Sequence, residues 1–232
     1  MQIHGLQKLT LLDYPGHMSA TVFTGGCNFR CPYCHNSELV LHPEAVPVIP
    51  EEEVFTFLKA RAKMLEAVCI TGGEPTLQKD LPEFIAKVRE LGYRIKLDTN
   101  GSLPTVLEKL LASGNIDYVA MDIKNCRERY DETIGVSGFP IAAAEASVKL
   151  LMSGKVPYEF RTTVMRELHD KDSMARIGEW IAGARHYYLQ PYRESDNVMK
   201  KDVFHAPERE ELIEWKELLS KSIPKVDLRG ID

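Results

Sequence analysis

The 232-residue chain is 44% hydrophobic and 27% charged with a formal net charge of −5, an ordinary globular composition for which one domain over 1–232 is the expectation. No run of about 18 apolar residues offers a membrane span, and the opening Met1–Lys8 has no apolar signal core, so a soluble cytoplasmic protein is expected. The acidic balance argues against a sequence-independent grip on nucleic acid, which needs clustered Lys and Arg.

Strand-like and amphipathic helical segments alternate nearly throughout. A first strand is predicted over about Met18–Phe23, leading into a loop rich in Gly and Cys. A helix over Glu51–Met64 follows, with Val54, Phe55 and Leu58 on one face and three glutamates behind Pro50, where the helix dipole favours negative charge. Val68–Ile70 reads as a short apolar strand, and Leu81, Phe84, Ile85 and Val88 mark a helix that Gly92 stops. Tyr93–Asp98 alternates apolar and polar with period two, the pattern of a half-buried strand. Val106, Leu107, Leu110 and Leu111 mark a helix ending near Gly114, before a strand over Tyr118–Ile123. The alternation continues with a helix over Ile141–Leu151, a strand over Tyr158–Val164, a helix over Met174–Ile181 and a strand over His186–Gln190. A last helix, about Pro207–Ser220, precedes an edge strand at Val226–Leu228. Repeated βα units imply an α/β fold with a parallel sheet and outer helices. Six units fit a partial (βα)6 barrel; an open doubly wound sheet is the alternative.

The chain has five cysteines, of which three fall within eight residues. They lie in Thr24-Gly25-Gly26-Cys27-Asn28-Phe29-Arg30-Cys31-Pro32-Tyr33-Cys34-His35-Asn36, a C-x3-C-x2-C pattern after the first strand. A close triplet suits a metal site rather than a disulfide framework. Thiolate is the preferred protein ligand of an iron–sulfur cluster, and three cysteines on a four-iron cubane leave one iron open to a small molecule's amine and carboxylate. A structural Cys3His zinc site using His35 is the rival, but neighbouring residues such as Cys34 and His35 rarely both turn onto one tetrahedral ion. After the second strand, Ile70-Thr71-Gly72-Gly73-Glu74-Pro75 combines two glycines, which admit a ligand close to the backbone, with a carboxylate acceptor for a cationic amine. Cys69 reads as a buried core thiol, and Cys126 carries no assigned role.

Cys27–Cys34, with Tyr33 before the last cysteine, and Gly72-Gly73-Glu74-Pro75 together resemble the radical S-adenosylmethionine (SAM) superfamily. The resemblance implies that Cys27, Cys31 and Cys34 bind a [4Fe–4S] cluster whose open iron holds the methionine end of SAM. It implies further that Gly72, Gly73 and Glu74 contact the methionine amine and that Tyr33 packs near the adenine. Cys34-His35-Asn36, Leu97-Asp98-Thr99-Asn100-Gly101 and Met121-Asp122-Ile123-Lys124 are similar to segments of the activating enzymes of glycyl radical proteins. With Asp13-Tyr14-Pro15-Gly16, the likeness is greatest to activases of the anaerobic ribonucleoside-triphosphate reductase in their longer form. By that resemblance Asp98 and Thr99 lie near the SAM ribose or methionine end, and Asp122 and Lys124 contact SAM polar groups. The implied reaction is reductive cleavage of SAM to methionine and a 5′-deoxyadenosyl radical, which abstracts hydrogen from a glycine of a partner reductase. An electron donor such as flavodoxin or ferredoxin is implied with it.

The Cys loop, the Gly-Gly turn, Asp98 and Lys124 each sit at the carboxyl end of a predicted strand, where parallel β/α architectures carry their sites. Asp98 has a competing reading as a cap or turn residue before Asn100-Gly101, and Asp122 with Lys124 as a surface ion pair. Arg161, on the fifth strand, fits either a contact to the SAM carboxylate or ribose or a structural ion pair. Gln190-Pro191-Tyr192-Arg193 departs from the pyruvate formate-lyase activase branch, where a histidine follows the corresponding Pro-Tyr. Other readings are an activase of that type, a radical SAM enzyme acting on a small molecule, and a non-catalytic iron–sulfur protein that binds SAM.

Overall fold

In the computed structural model, which describes residues 1–231, eight strands form one sheet in chain order. They are β1 (Ile3–Thr10), β2 (Ser19–Thr24), β3 (Ala67–Gly72), β4 (Arg94–Thr99), β5 (Tyr118–Asp122), β6 (Tyr158–Val164), β7 (Tyr187–Pro191) and β8 (Val226–Leu228). β1 runs antiparallel to β2, and every other neighbouring pair is parallel. A strand order that never reverses, with right-handed crossovers, puts the connecting helices on one face and curls the sheet into a partial barrel. A doubly wound sheet would need a reversal of strand order, and none occurs. Six parallel strands, β2–β7, are those expected; β1 was not expected, because Ile3–Thr10 has neither a clean alternation nor an apolar run.

The helices are α1 (Ser37–Leu41), α2 (Glu51–Arg61), α3 (Leu81–Glu90), α4 (Pro104–Ala112), α5 (Tyr130–Ile134), α6 (Ile141–Met152), α7 (Lys171–Trp180) and α8 (Arg209–Leu219). Val22, Ile70, Leu97, Val119 and Tyr158 stand in register across five strands and share a hydrophobic core with Leu58, Phe84, Leu107 and Ile177 of the helices. Strand positions of the other parity turn into the barrel. Tyr93–Asp98 is therefore not half-exposed as its alternation suggests: Lys96 is 1% and Asp98 8% exposed. Both faces of β4 are covered, and its polar face meets an internal ion-pair lattice instead of water.

The Asp13–Gly16 segment closes the amino-terminal end of this barrel, opposite the Cys loop. Tyr14 is buried against Tyr118 and His17, with ring centroids 5.7 and 4.7 Å away. Asp13 Oδ2 accepts from the Thr21 hydroxyl at 2.6 Å. Gly16, at φ +79°, lets the chain turn back so that His17 N–H reaches the Tyr14 carbonyl at 3.0 Å. Next to Tyr118, Glu159 accepts from both Arg229 nitrogens at 2.8 and 3.0 Å and from the Tyr118 hydroxyl at 2.9 Å. Burial alone would raise the Glu159 carboxyl, but the Arg229 guanidinium holds it below the usual carboxylate range. Among the described residues no helix is long and apolar enough to cross a membrane.

Candidate active site

The carboxyl end of β2 delivers the Cys loop, and backbone contacts from three directions fix it. Gly26 N–H bonds to the Leu39 carbonyl at 2.7 Å, Arg30 N–H to Ile134 at 2.8 Å, and Lys200 N–H to Pro32 at 3.0 Å. The Ile134 contact comes from α5, whose end turns at Gly135 with φ +65°. A Cβ there would stand 2.3 Å from the Arg30 carbonyl oxygen, so only glycine lets the helix end approach the loop this closely. Burial pushes the Cys27 thiol up to about 12, the Cys31 thiol up to about 11, and the Cys34 thiol also upward. Without a metal these groups are neutral, and metal capture would release their protons.

Cys27, Cys31 and Cys34 line one cavity together with Tyr33, Gly72, Gly73, Glu74, Asp98, Thr99, Asp122, Lys124 and Arg161. Every residue that the sequence resemblance implies for the cluster or for SAM lines that space. The donor set fits an iron–sulfur cubane, which takes one thiolate per iron. Among the described residues, no three His, Cys, Asp or Glu side chains are grouped to hold a single metal ion. His35, the fourth ligand of the zinc alternative, is engaged elsewhere: its Nε2 lies 2.6 Å from the Arg193 carbonyl and its ring stacks on Tyr192. The Tyr33 ring packs edge-on against Phe204 at 6.1 Å, and its buried hydroxyl has no hydrogen-bond partner.

The Gly72–Glu74 turn is built differently from the sequence expectation. A Cβ on Gly72 would lie 2.3 Å from Thr24 N, and one on Gly73 would lie 2.0 Å from the Gly26 carbonyl oxygen. Gly73 N–H and Glu74 N–H donate to the Thr24 and Gly26 carbonyls at 2.9 and 2.8 Å. The two glycines thus let this turn dock backbone to backbone on the Cys loop. Glu74, expected to present its carboxylate to an amine, is 1% exposed and already accepts four hydrogen bonds. Oε1 takes Thr76 N–H at 3.1 Å and the Thr76 and Thr99 hydroxyls at 2.5 and 2.8 Å; Oε2 takes Asn100 N–H at 2.6 Å. Burial raises its pKa, opposed by these donors. The carboxylate ties β3's turn to the end of β4.

Across the cavity runs a ladder of alternating charge. Lys96 pairs with Asp98; Asp98 with Arg161 at 2.9 Å; Arg161 with Asp122 at 2.5 Å; and Asp122 with Lys124 at 2.8 Å. Burial would raise both aspartates, but Arg161, with Lys96 or Lys124, holds them below the carboxylate range. Asp98 is therefore neither a cap nor a turn residue, and Asp122–Lys124 is no surface pair. Arg161 makes the ion pairs of one reading while lining the cavity as in the other. Cys69 is fully buried as expected, yet its sulfur faces this lattice, 3.7 Å from Asp98 and 3.9 Å from Lys96. The Arg193 side chain turns away, to the Gly230 carbonyl at 2.5 Å.

Sequence reasoning missed the polar residues that hold these loops. Asn36 donates to the Gly72 carbonyl at 3.0 Å, and Asn100 to Asn28 at 3.0 Å. His169, 2% exposed, accepts Met165 N–H on Nδ1 at 3.3 Å and donates from Nε2 to the Lys124 carbonyl at 2.9 Å. Both ring nitrogens are satisfied only in the neutral form, and burial pushes the pKa down to about 4. The unfolded chain binds the proton near pH 6.5, so this contribution to stability is complete above that pH and is lost as pH falls toward 4. A loss of about 3 kcal/mol is expected over that window. Denaturant titrations of wild type and His169→Gln across it should diverge by about one proton's slope; parallel curves would remove His169 from the account.

Comparison with known proteins agrees with this geometry. The family profile described as the radical SAM superfamily matches residues 21–176. A Methanocaldococcus jannaschii protein assigned by name as a glycyl-radical enzyme activating enzyme is 34% identical over 99% of this chain and 96% of its own length. The pyruvate formate-lyase-activating enzyme of Staphylococcus aureus is 27% identical over 77% of this chain and 74% of its own. In fold, the chain is similar to Streptococcus suis SuiB, with a TM-score of 0.69 at 14% identity over 89% of this chain and 47% of that one. The chain belongs to the radical SAM superfamily, whose enzymes use a [4Fe–4S] cluster and S-adenosylmethionine.

Proposed function

We propose that this chain, acting as a single domain, installs a glycyl radical on an anaerobic ribonucleoside-triphosphate reductase. The observation that carries the activase reading is the 34% identity with the M. jannaschii relative over 99% of this chain and 96% of that one. The choice of reductase rests on the resemblance of Asp13–Gly16 and Cys27–Asn36 to that activase group. In this reading Cys27, Cys31 and Cys34 hold the cluster and leave its fourth iron for the methionine end of SAM. Lys124, Arg161, Asp98 and Asp122 meet the polar groups of SAM by exchanging ladder partners, and Thr99 lies beside them at the end of β4. Gly72 and Gly73 contribute the turn backbone beside its amine, Glu74 keeps that turn in place, and Tyr33 flanks the adenine.

The bound pair of cofactors supplies one-electron cleavage of the sulfonium, with the electron from a flavodoxin or ferredoxin. The protein's part is to orient SAM and keep water from the cavity. The pyruvate formate-lyase type of activase is the second reading, favoured by the S. aureus similarity and disfavoured by Arg193, which stands at the position of a histidine in that branch and points to Gly230.

Reduced, SAM-loaded protein should give a glycyl radical doublet by electron paramagnetic resonance only when the cognate reductase is added. Deuterium on that glycine should appear in 5′-deoxyadenosine. A doublet with pyruvate formate-lyase but not with the reductase would transfer the assignment to the second reading. Rapid SAM cleavage driven by a small metabolite alone would end the activase reading.

A further inference from the structure

Asn100 follows β4 directly and is 5% exposed. Its Oδ1 accepts the Ser102 backbone N–H at 2.9 Å. A backbone N–H can only donate, so the amide oxygen must face Ser102 and the amide nitrogen the opposite side. That nitrogen has two hydrogens, and two acceptors stand before it: Asn28 Oδ1 at 3.0 Å and Cys27 Sγ at 3.8 Å. Asn28 is locked in turn, because its own Nδ2 donates to Ser102 Oγ at 2.8 Å. The Asn100 backbone is fixed independently by its N–H bond to Glu74 Oε2. The ring of Asn100, Asn28 and Ser102, closed through the Ser102 backbone N–H, thus leaves one Asn100 amide N–H directed at the sulfur. Phe29 N–H approaches the same sulfur at 3.4 Å.

We propose that Asn100 is a hydrogen-bond donor to the Cys27 thiolate and raises the reduction potential of the cluster it ligates; this rests on the cluster reading above. Reduction places added negative charge on the iron–thiolate unit, and a donor on the sulfur stabilises that charge more in the reduced than in the oxidised state. The opposing influence is burial, which disfavours added charge. A fixed donor next to Cys27 offsets part of that penalty and brings the cluster within reach of a biological one-electron donor.

The test uses anaerobically reconstituted full-length protein in a mediated dithionite titration followed by electron paramagnetic resonance. Asn100→Asp keeps an oxygen for Ser102 N–H but replaces the donor with an acceptor; Asn100→Ala removes it. Iron content should match wild type in both. The reduced-to-oxidised ratio at fixed potential should fall about tenfold in Asn100→Ala, which is about 59 mV for a one-electron couple, and further in Asn100→Asp. The iron–cysteine stretching bands in resonance Raman should rise together with that shift. Asn28→Ala, which removes an acceptor and leaves the sulfur bond, should keep the wild-type potential. Loaded variants with unchanged potential would overturn the proposal, as would failure of both Asn100 variants to take up iron, which makes the residue structural. Absence of a cluster in wild type would instead overturn the site assignment itself.

Discussion

Cys27→Ala, Cys31→Ala and Cys34→Ala are each expected to lose the cluster, whereas Cys69→Ala and Cys126→Ala retain about four irons and four sulfides per chain. The three positions share one cavity and lie in a loop fixed by the Leu39, Ile134 and Lys200 contacts, so no nearby residue can move in as a substitute. The remaining cysteines are held apart from that loop: Cys69 sits mid-strand in β3 facing Lys96 and Asp98, and Cys126 is buried beside Asn125. Burial raises the pKa of all three thiols, so in each variant two cysteines must give up their protons with only two irons anchored, and the cubane should not persist. Iron and sulfide analysis with visible absorption after anaerobic reconstitution measures this. Full iron content in any of the three variants, or stoichiometric zinc in wild type purified without air, would refute the assignment.

Glu74→Ala is expected to lower the thermal midpoint of the cluster-free protein by about 5–15 °C. Removing the carboxylate strands two backbone donors, Asn100 N–H and Thr76 N–H, and frees the Thr76 and Thr99 hydroxyls. The hydroxyls can rotate toward other acceptors; the backbone N–H groups cannot. Each stranded donor costs about 1–3 kcal/mol, partly offset by relief of a buried charge, for a net loss of about 2–4 kcal/mol. In a chain of this size each kcal/mol moves the midpoint by about 2–4 °C. Glu74→Gln keeps an acceptor oxygen and should fall between. SAM affinity should fall in parallel, through loss of turn geometry. A Glu74→Ala protein that melts within about 1 °C of wild type would show that the four contacts are not a clamp.

The parallel strands and the long helices were legible because their periods are set by one dominant partner: strands against helices, helices against the sheet. The motifs were legible as a group because each sits at or just past the carboxyl end of a strand. Three kinds of feature were not. α1 and α5 are five residues each, too short to show a helical period, although α5 braces the Cys loop. β1 pairs antiparallel with register shifts and mixes polar and apolar residues at a sheet edge. The third kind is a matter of environment: Lys96 and Asp98 look like a wet face in a one-dimensional pattern, and only barrel closure makes that face interior. In the same way, Gly72, Gly73 and Glu74 line the cavity while their own contacts are with neighbouring loops. Asn28 and Asn100 gave no sign of their contacts because their partners lie more than 70 positions away or across a tight bend.

The charge ladder from Lys96 through Asp98, Arg161 and Asp122 to Lys124 has a consequence for how any dipolar ligand is received. These groups gave up most of their water when the chain folded, each against an internal partner of opposite sign. A ligand entering the cleft therefore faces a wall whose solvation has largely been stripped, and much of its binding work is the exchange of one fixed partner for another. Such a wall discriminates by the placement of donors and acceptors along the ladder, because a misfitting ligand breaks an existing pair without replacing it. The ladder selects by register.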